Sequence, residues 1–237
     1  MNQYLSSLLD KFCGDVDEVT LFRNISDKAK ELGFDYCCYG IRFPIPISQP
    51  KTLILDTYPA GWMANYKEKG YVNIDPTVQA GLQSTDVIVW SDSLFSKAQG
   101  LWDEAREFGI AGGVAHSSLA PFNVIGLLTL ARPTSCVTEA EAFALRGSLS
   151  ILSWTAHTLM SELLAPKYIP EANEKLTFRE REVLRWTAEG KTAHEIGLIL
   201  KIADRTVNFH INNSLQKLHS TNKTQAVVKA ALIGLIN

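Results

Sequence analysis

Two helix-start signals near the end of the chain constrain its fold more than any other feature. Thr177 is followed three residues later by Glu180, and Thr192 is followed three residues later by Glu195. Each pair has the spacing of a capping box, in which both side chains satisfy backbone N–H groups at the start of a helix. Gly190 lies just before the second signal, where a helix end favours a residue with a left-handed backbone. These signals predict two short helices joined by a tight turn.

A third helix is predicted over residues 204–218, and residues 224–236 supply a fourth. The apolar residues of the third helix recur at helical spacing and should face the core: Val207, Ile211, Leu215 and Leu218. Its opposite face carries cations and amides: Arg205, Asn208, Asn212, Asn213, Gln216 and Lys217. Such groups hydrogen-bond base edges and phosphates, so the segment predicts a helix-turn-helix module that binds DNA. A small helical bundle with a merely solvated polar stripe fits the same pattern.

The charge distribution separates this module from the rest of the chain. Residues 176–237 carry nine Lys or Arg against five Asp or Glu, a net charge of +4, whereas the remainder carries fourteen against twenty, a net charge of −6. A basic module on an acidic protein indicates nucleic acid at one end. Residues 165–175 contain two prolines and several charges, which predict a linker. We therefore expect one domain at 1–164 and a second at 176–237.

The first of these domains mixes helical and strand patterns. Residues 17–33 predict an amphipathic helix with apolar positions at Val19, Phe22, Ile25 and Ala29. Strands are predicted at 34–43, 51–56, 113–121 and 124–132, with a turn near Phe122 and Asn123. Thr138 and Glu141 predict a capping box that opens a long helix to about Leu164. The chain is therefore expected to be α+β, with an N-terminal α/β/α sandwich on a mainly antiparallel sheet and a C-terminal four-helix helix-turn-helix domain.

Several classes of protein receive no support from the sequence. Hydrophobic residues make up 46% of the chain, and no apolar run approaches the ~20 residues of a membrane helix. The first residues lack the basic and apolar regions of a secretion signal, and the four cysteines lack metal-ligand spacing, so we expect a cytoplasmic protein with reduced thiols and no metal. No G-x-S-x-G motif occurs, and no acid is placed recognisably behind His116 or His157, so no enzyme activity is expected.

Residues 58–76 concentrate large rings next to one acid. The rings are Tyr58, Trp62, Tyr66 and Tyr71, and the acid is Asp75. A helix starting at Pro59 would place Trp62 and Tyr66 on one face. This stretch fits an ordinary amphipathic face, with Asp75 capping the next helix. It fits equally a small-molecule pocket, because the polar tips of buried Tyr and Trp side chains need partners.

Five stretches of the C-terminal segment follow one another in a recognisable order: LTFREREVL, GKTAHEIGLIL, RTVNFHINN, KL and NKTQAVVKA. Together they resemble the DNA-binding domain of the LuxR family of bacterial transcription regulators, over some sixty residues. The resemblance implies that residues 204–218 are the recognition helix and that the fourth helix helps the domain to dimerise. The polar face and the resemblance place DNA contacts at Thr192, Arg205, Thr206, Asn208, His210, Asn212, Asn213 and Lys217.

Two positions depart from the family pattern. Many members have Ser or Asp where this chain has Ala203, so Asp204 is expected to cap the recognition helix instead. Asn208 lies where a Lys is common, which removes a cation that would contact phosphate. The resemblance therefore predicts a DNA site that differs from the sites of relatives.

The N-terminal half carries a second set of matching features: residues 58–76, Trp90, Gly113 and the strand GLLTLAR. They resemble the autoinducer-binding domain of the quorum-sensing LuxR-type receptors. The resemblance implies an N-acyl-homoserine lactone as the ligand and no cofactor. It implies that Trp62 donates to the lactone carbonyl and that Trp90 packs on the lactone ring. At the amide, Asp75 would accept from the N–H and Tyr58 would donate to the acyl carbonyl. Tyr66 would line the pocket, and Thr129 would lie near the amide or acyl carbonyl.

A phospho-receiver domain also precedes this type of DNA-binding domain, but it does not fit here. The early acids Asp15, Asp17 and Glu18 lie at a helix start, whereas a receiver needs its acids at a strand end. The expected function is a ligand-responsive transcription regulator whose partners are double-stranded DNA, the lactone, a second copy of the chain and RNA polymerase, with no membrane. A DNA-binding regulator that senses a different small molecule, or none, remains the alternative.

Overall fold

The computed structural model describes residues 17–236, which divide into two compact units. The first unit holds the residues up to Arg42, Thr52–Ala120 and Ile125–Leu163. The second holds Phe43–Lys51, Pro121–Val124 and the residues from Leu164 onward. Two short loop segments of the N-terminal half therefore group with the C-terminal residues, and the predicted boundaries at residues 164 and 175 stay predictions. The predicted lack of a secretion signal concerns residues that lie outside the described range.

A five-stranded sheet forms the centre of the first unit. Its strands are β1 (Tyr36–Arg42), β2 (Thr52–Asp56), β3 (Ile88–Val89), β4 (Gly112–Ala120) and β5 (Val124–Arg132). They lie in the order β2-β1-β5-β4-β3, and the pairings β1–β2, β1–β5 and β3–β4 are antiparallel. The predicted mainly antiparallel sheet is confirmed. The short edge strand β3 was not predicted, because two residues are too few to show a strand pattern.

Helices lie on both sides of this sheet. They are α1 (Glu18–Glu31), α2 (Trp62–Glu68), α3 (Pro76–Gly81), α4 (Gln99–Glu107) and α5 (Glu139–Tyr168), with 3-10 turns at Tyr71–Asn73, Pro121–Asn123 and Pro170–Asn173. In α1, Phe22, Ile25 and Ala29 are buried as predicted, but Val19 is exposed, so its predicted core position is wrong.

The two faces of the sheet are covered by different helices. On one, which we call the α5 face, the Tyr39 hydroxyl hydrogen-bonds His157 Nδ1 of α5 at 2.7 Å. On the other, which we call the α3 face, a Cβ at Gly81 of α3 would lie 2.8 Å from the Leu127 side chain. Successive strand residues alternate between these faces, because the side-chain period of a strand is two. The helix–sheet–helix layering confirms the predicted sandwich.

Three local predictions need correction. The helix expected from Pro59 begins at Trp62, because Gly61 adopts a left-handed backbone (φ 88°) just before it. The capping box expected at the start of α5 is half formed, since the Glu141 N–H donates to Thr138 Oγ1 at 3.2 Å while the Glu141 carboxylate binds Arg132 at 2.6 and 2.8 Å. α5 also continues through the proline of its last turn to Tyr168, so the first part of the predicted linker is helical.

The C-terminal helices of the second unit are α6 (Phe178–Ala188), α7 (Ala193–Leu200), α8 (Asp204–Lys217) and α9 (Lys223–Leu232). Both predicted capping boxes are formed, at the starts of α6 and α7. Gly190 has the expected left-handed backbone, with φ 80°. Val183, Ile196 and Val207 form the core between α6, α7 and α8. The predicted four-helix helix-turn-helix domain is confirmed.

The start of α8 differs from the expectation. Ala203 is the N-cap residue and makes no side-chain capping bond, so Asp204 does not cap the helix. Asp204 is instead the first helical residue, where its negative charge interacts favourably with the positive end of the helix dipole. Its carboxylate contacts His194 Nδ1 of α7 at 3.2 Å. On the inner side of α8, Val207 and Leu218 are buried, while the other two predicted core positions are half-buried.

Within residues 17–236, no helix is both long enough and apolar enough to cross a bilayer.

Candidate ligand site and nucleic-acid interface

Aromatic rings from several elements of the first unit pack together in what we call the aromatic cluster. Its large buried members are Trp62, Tyr66, Tyr71, Trp90, Phe95 and Trp102. The Trp62 ring centroid lies 5.9 Å from that of Tyr66 and 6.5 Å from that of Tyr71. Phe95 stacks on Trp102 at 4.6 Å, and Trp90 meets both rings edge-on at 5.9 Å. Stacked and edge-to-face pairs are the favoured arrangements of aromatic rings, so the cluster is a well-packed part of the core.

Asp75 lies at the edge of this cluster with both carboxylate oxygens bonded. Oδ2 accepts from the Tyr66 hydroxyl at 2.8 Å. Oδ1 accepts from the Thr77 backbone N–H at 2.8 Å and from the Thr77 hydroxyl at 2.6 Å, and the backbone bond caps α3. The capping interpretation of Asp75 is therefore confirmed. Each carboxylate oxygen can accept two hydrogen bonds, so Oδ2 can accept one more. The bonds from Tyr66 and Thr77 fix the orientation of the carboxylate.

Two tyrosine phenols, Tyr66 and Tyr58, are influenced by the charge of the Asp75 carboxylate. Burial raises the pKa of Tyr66, and the adjacent Asp75 raises it further. Burial likewise raises the pKa of Tyr58 well above its usual range, with Cys38 and Asp75 adding to the effect. Both phenols therefore keep their protons at neutral pH and can donate hydrogen bonds. Thr129 of β5 is a buried residue of the α3 face and the register partner of Cys38 in β1.

Two tryptophans of the cluster differ in how their indole N–H groups are satisfied. The Trp102 N–H donates to Asp92 Oδ1 at 2.7 Å. The Trp90 N–H is buried and has no hydrogen-bond partner among the described residues. Its ring lies close against the sheet because Gly113 has no side chain, and a Cβ there would lie 2.9 Å from the ring. A buried donor without an acceptor costs about 1–3 kcal/mol. A bound molecule that placed an acceptor at the Trp90 N–H would remove this cost.

Beside the cluster, the α3 face carries half-buried apolar residues that we call the apolar strip: Gly40, Ile54 and Leu127, which are register neighbours across β2, β1 and β5. A Cβ at Gly40 would meet no atom within 4 Å, so there is space directly above the strand. By contrast, Tyr39 and Leu128 on the α5 face are 1% and 0% exposed. An apolar chain lying along the strip would remove its surface from water.

The structure brings the sequence-predicted ligand residues into one region of the first unit. Trp62, Tyr66 and Trp90 are in the aromatic cluster, Tyr58 packs against it, Asp75 bonds Tyr66, and Thr129 is buried on the α3 face. Their proximity to one another is a finding, whereas their contact with a ligand stays a prediction.

Three further residues of this region were not predicted as site residues. Tyr71 had a local signal, since it belongs to the same aromatic stretch as Trp62. Trp102 lies on α4, and nothing in its own neighbourhood indicates that it packs against Trp90. Cys38 reaches the site only through the pairing of β1 with β5, which no local pattern reveals.

The outer surface of α8 carries most of the predicted DNA contacts. Arg205, Asn208 and Asn212 are exposed, and Thr206, His210 and Asn213 are half-buried. These groups offer a cation, amides and hydroxyl or imidazole groups along one side of a single helix. That is the chemistry with which a recognition helix reads base edges and phosphates.

Two other predicted contacts have partners inside the module. Lys217 Nζ donates to Glu180 Oε2 at 2.8 Å. Burial would raise the pKa of Glu180, but the hydrogen bonds from Lys217 and the Thr177 N–H outweigh burial and lower it. The Thr192 hydroxyl donates to the Glu195 carboxylate at 2.8 Å within its capping box. Lys217 and Thr192 therefore stabilise the helix-turn-helix fold itself.

The histidines considered as enzyme candidates join the sheet to α5. His116 Nε2 of β4 hydrogen-bonds the Ser150 hydroxyl at 3.0 Å, and His157 of α5 bonds Tyr39. Both contacts give these side chains a role in packing. Among residues 17–236, no group of three or more His, Cys, Asp or Glu side chains is arranged to hold a metal ion.

A sheet domain with a polar-edged aromatic cluster, followed by a helix-turn-helix module, defines a ligand-responsive transcription regulator. Comparison with known families agrees. The family of autoinducer binding domains matches residues 17–160, and the family described as bacterial regulatory proteins, luxR family, matches residues 174–230. The chain belongs to the LuxR family of quorum-sensing transcription regulators, which bind an autoinducer and DNA and are not enzymes.

Similar proteins cover nearly the whole chain. The transcriptional activator protein SolR of Ralstonia nicotianae is 56% identical over 93% of each chain. The crystal structure of Escherichia coli SdiA has a TM-score of 0.84 at 32% identity, and the match covers 98% of this chain and 97% of the SdiA chain. A second SdiA structure, in complex with octanoyl-rac-glycerol, has a TM-score of 0.81. The N-acylhomoserine lactone dependent factor CepR2 of Burkholderia cenocepacia has a TM-score of 0.63 at 30% identity and covers 68% of this chain and 95% of its own.

Proposed function

We propose that the first unit binds an N-acyl-homoserine lactone and that the ligand-bound chain forms a homodimer on a palindromic promoter site. The lactone head lies at the aromatic cluster, and the acyl chain follows the apolar strip. Residues 1–164 act as the sensing domain, residues 165–175 as the linker and residues 176–237 as the DNA-binding domain of a cytoplasmic regulator that contacts RNA polymerase. The observation that carries the proposal is the Asp75 carboxylate, which Tyr66 and Thr77 hold beside the cluster.

The amide group of the ligand is recognised by donor–acceptor complementarity. Asp75 accepts from the ligand N–H, and Tyr58 donates to the acyl carbonyl, with the Thr129 hydroxyl close to the same groups. This division suits the protonation states, because a phenol is protonated at neutral pH and burial raises the pKa of Tyr58 further. Asp75 is half-buried, and a bound ligand would shield its carboxylate further from water. A shielded carboxylate without a donor costs more than a neutral group, so Asp75 discriminates most strongly between ligands.

The lactone ring is recognised by the two indoles at the other side of the head group. Trp62 donates to the lactone carbonyl, and Trp90 packs on the ring. The unpaired N–H of Trp90 supports a ligand with acceptors on this side. CepR2 is N-acylhomoserine lactone dependent and aligns with 68% of this chain, which supports a lactone as the ligand.

Affinity comes mainly from the acyl chain. Burying each CH₂ group is worth roughly 0.8 kcal/mol, whereas one hydrogen bond contributes about 1 kcal/mol net. An acyl chain of several carbons on the apolar strip therefore contributes more binding free energy than any single polar contact. The polar residues select the head group, and the strip sets the strength of binding.

A second candidate ligand is an acyl glycerol. The complex of SdiA with octanoyl-rac-glycerol favours it, because SdiA has the same fold over nearly the whole chain. Such a ligand has an ester in place of the amide, so Asp75 would accept from a glycerol hydroxyl instead.

Thermal unfolding of the full-length chain distinguishes the two ligands. N-octanoyl-homoserine lactone at one hundred times its Kd stabilises a single-site receptor by about 2.7 kcal/mol. We expect this stabilisation for the wild type and for Asp86→Asn, a matched control at an exposed acid that pairs with Arg146. At the same lactone concentration, we expect Asp75→Asn to lose about half to two-thirds of it. Stabilisation by 1-octanoyl-rac-glycerol and none by the lactone would replace the lactone with the glycerol ester.

DNA binding is tested separately. A dimer with fixed geometry needs half-sites whose centres lie about 10–10.5 base pairs apart, or a multiple of that spacing. We expect gel-shift affinity to fall when five base pairs are inserted between half-sites, and indifference to the insertion would contradict the dimer. Arg205→Ala should weaken DNA binding while ligand uptake stays at the wild-type level, and loss of ligand uptake would contradict separable modules.

A further inference from the structure

One side chain on the outer surface of α8 is apolar. Phe209 is 59% exposed and lies outside the core formed by Val183, Ile196 and Val207. Single exposed apolar residues are common and need no explanation by themselves. Phe209 differs because of where it lies on the helix.

Phe209 occupies the centre of the proposed DNA-facing surface. It follows the fully buried Val207 by two residues, which is a rotation of roughly 200° around the helix axis, so its side chain points away from the core. Arg205 and Asn213 lie one turn before and after it, and Asn212 lies three residues beyond it on the same side. A large ring is therefore surrounded by the groups that would hydrogen-bond bases.

The major groove offers one apolar group to such a ring. Thymine carries a C5 methyl at the groove surface, whereas the other three bases have no methyl group there, and apolar side chains read thymine through this methyl. The surroundings of Phe209 also favour duplex DNA over a protein partner, because the module has a net charge of +4 and the flanking residues are a cation and amides.

We propose that Phe209 is a specificity-determining residue that contacts a thymine C5 methyl group in each half-site of the DNA target. The inference rests on the proposed function, in which α8 is the recognition helix. It adds to the hydrogen-bonding residues an apolar contact that selects T·A over the other base pairs at one position.

The experiment removes the methyl group without changing any hydrogen bond. The full-length chain, produced with a mixture of N-acyl-homoserine lactones, selects duplexes from a random-sequence pool, and each thymine of the selected site is then replaced by deoxyuridine. Burying a methyl group corresponds to about a four-fold change in Kd. We expect one deoxyuridine position per half-site to weaken wild-type binding about four-fold, and both symmetric replacements to weaken it about fifteen-fold.

Phe209→Ala assigns the methyl contact to this side chain. We expect it to bind the thymine site about four-fold more weakly per half-site and to show no further loss with deoxyuridine at that position, as a double-mutant cycle requires for a direct contact. Phe178→Ala is the matched control, since Phe178 is a second exposed phenylalanine of the module but lies at the start of α6. It should show the wild-type deoxyuridine profile.

Three results would overturn the inference. A wild-type profile in which no deoxyuridine position matters excludes a methyl contact, even if the Phe209 variant fails to fold. A Phe209→Ala profile that matches the wild type excludes this residue as the reader. Failure of the pool to yield any preferred sequence would overturn the recognition role of α8, and with it both the proposed function and the inference.

Discussion

The α5 face and the α3 face of the sheet are built from alternate residues of the same strands, yet they are covered to different degrees. Tyr39 pairs with Leu128 across β1 and β5, and both are almost completely buried under α5. One position along, Gly40 pairs with Leu127, and both are half-buried on the α3 face. The first pair belongs to the core, and the second belongs to the apolar strip.

Two glycines show the same difference. A Cβ at Gly126 on the α5 face would collide with the His157 ring, whereas a Cβ at Gly40 would meet no atom within 4 Å. Because neighbouring residues of a strand point to opposite faces, we expect substitutions one position apart to change stability and the proposed ligand binding separately.

The largest difference is expected between Leu128→Ala and Leu127→Ala. Leu128 is fully buried, so its truncation leaves a cavity and should lower the free energy of unfolding by about 3 kcal/mol. Leu127 is half-buried and should lose about 1 kcal/mol. Chemical denaturation of the ligand-free chain measures both values. Equal losses would show that the two faces are equally part of the core.

Alanine at the two glycines gives the next largest difference. Gly126→Ala should lower the free energy of unfolding by about 2 kcal/mol, because the added methyl group displaces His157 from its bond to Tyr39. Gly40→Ala should change it by less than about 0.5 kcal/mol. The same denaturation experiment provides the comparison, and a costly Gly40→Ala would mean that the space above Gly40 is filled.

Substitutions beside the cluster should affect binding and leave stability unchanged. Asp75→Asn should weaken lactone binding about 10- to 30-fold, because a charged acceptor is replaced by a neutral one. The fold is retained, since Asn is also a good helix N-cap. Tyr66→Phe removes only the hydroxyl that orients Asp75 and should cost a few-fold. Reporter dose curves or calorimetry rank the two variants, and the reverse order would remove Asp75 from its proposed role.

The smallest expected effect is a change in acyl-chain preference. Gly40→Val places a branched side chain in the space above β1, which suits a strand and should leave the melting temperature of the ligand-free chain unchanged. Each methylene displaced from the apolar strip should cost about four-fold in affinity. Titration with lactones of increasing chain length measures this, and an unchanged preference would place the acyl chain elsewhere.

The sequence predicted local features of the molecule more completely than contacts between distant residues. Both capping boxes of the helix-turn-helix module, at Thr177 and Thr192, were confirmed because each involves residues three positions apart. The main strands and the long helix were also predicted from periodicity. The contact of Lys217 with DNA stays a prediction, whereas its pairing with Glu180, 37 positions away, is a finding that no local pattern could reveal.

By itself, the sequence determined the capping boxes at Thr177 and Thr192, the alternation of the main strands and the gathering of rings before Asp75, because these depend on residues within a few positions of one another. The tertiary structure alone decided that Cys38 lies beside Thr129, that Trp102 packs on Trp90 and that the space above Gly40 stays uncovered. Those features depend on strand register and on helices that arrive from distant parts of the chain, and such contacts form only when the whole domain folds.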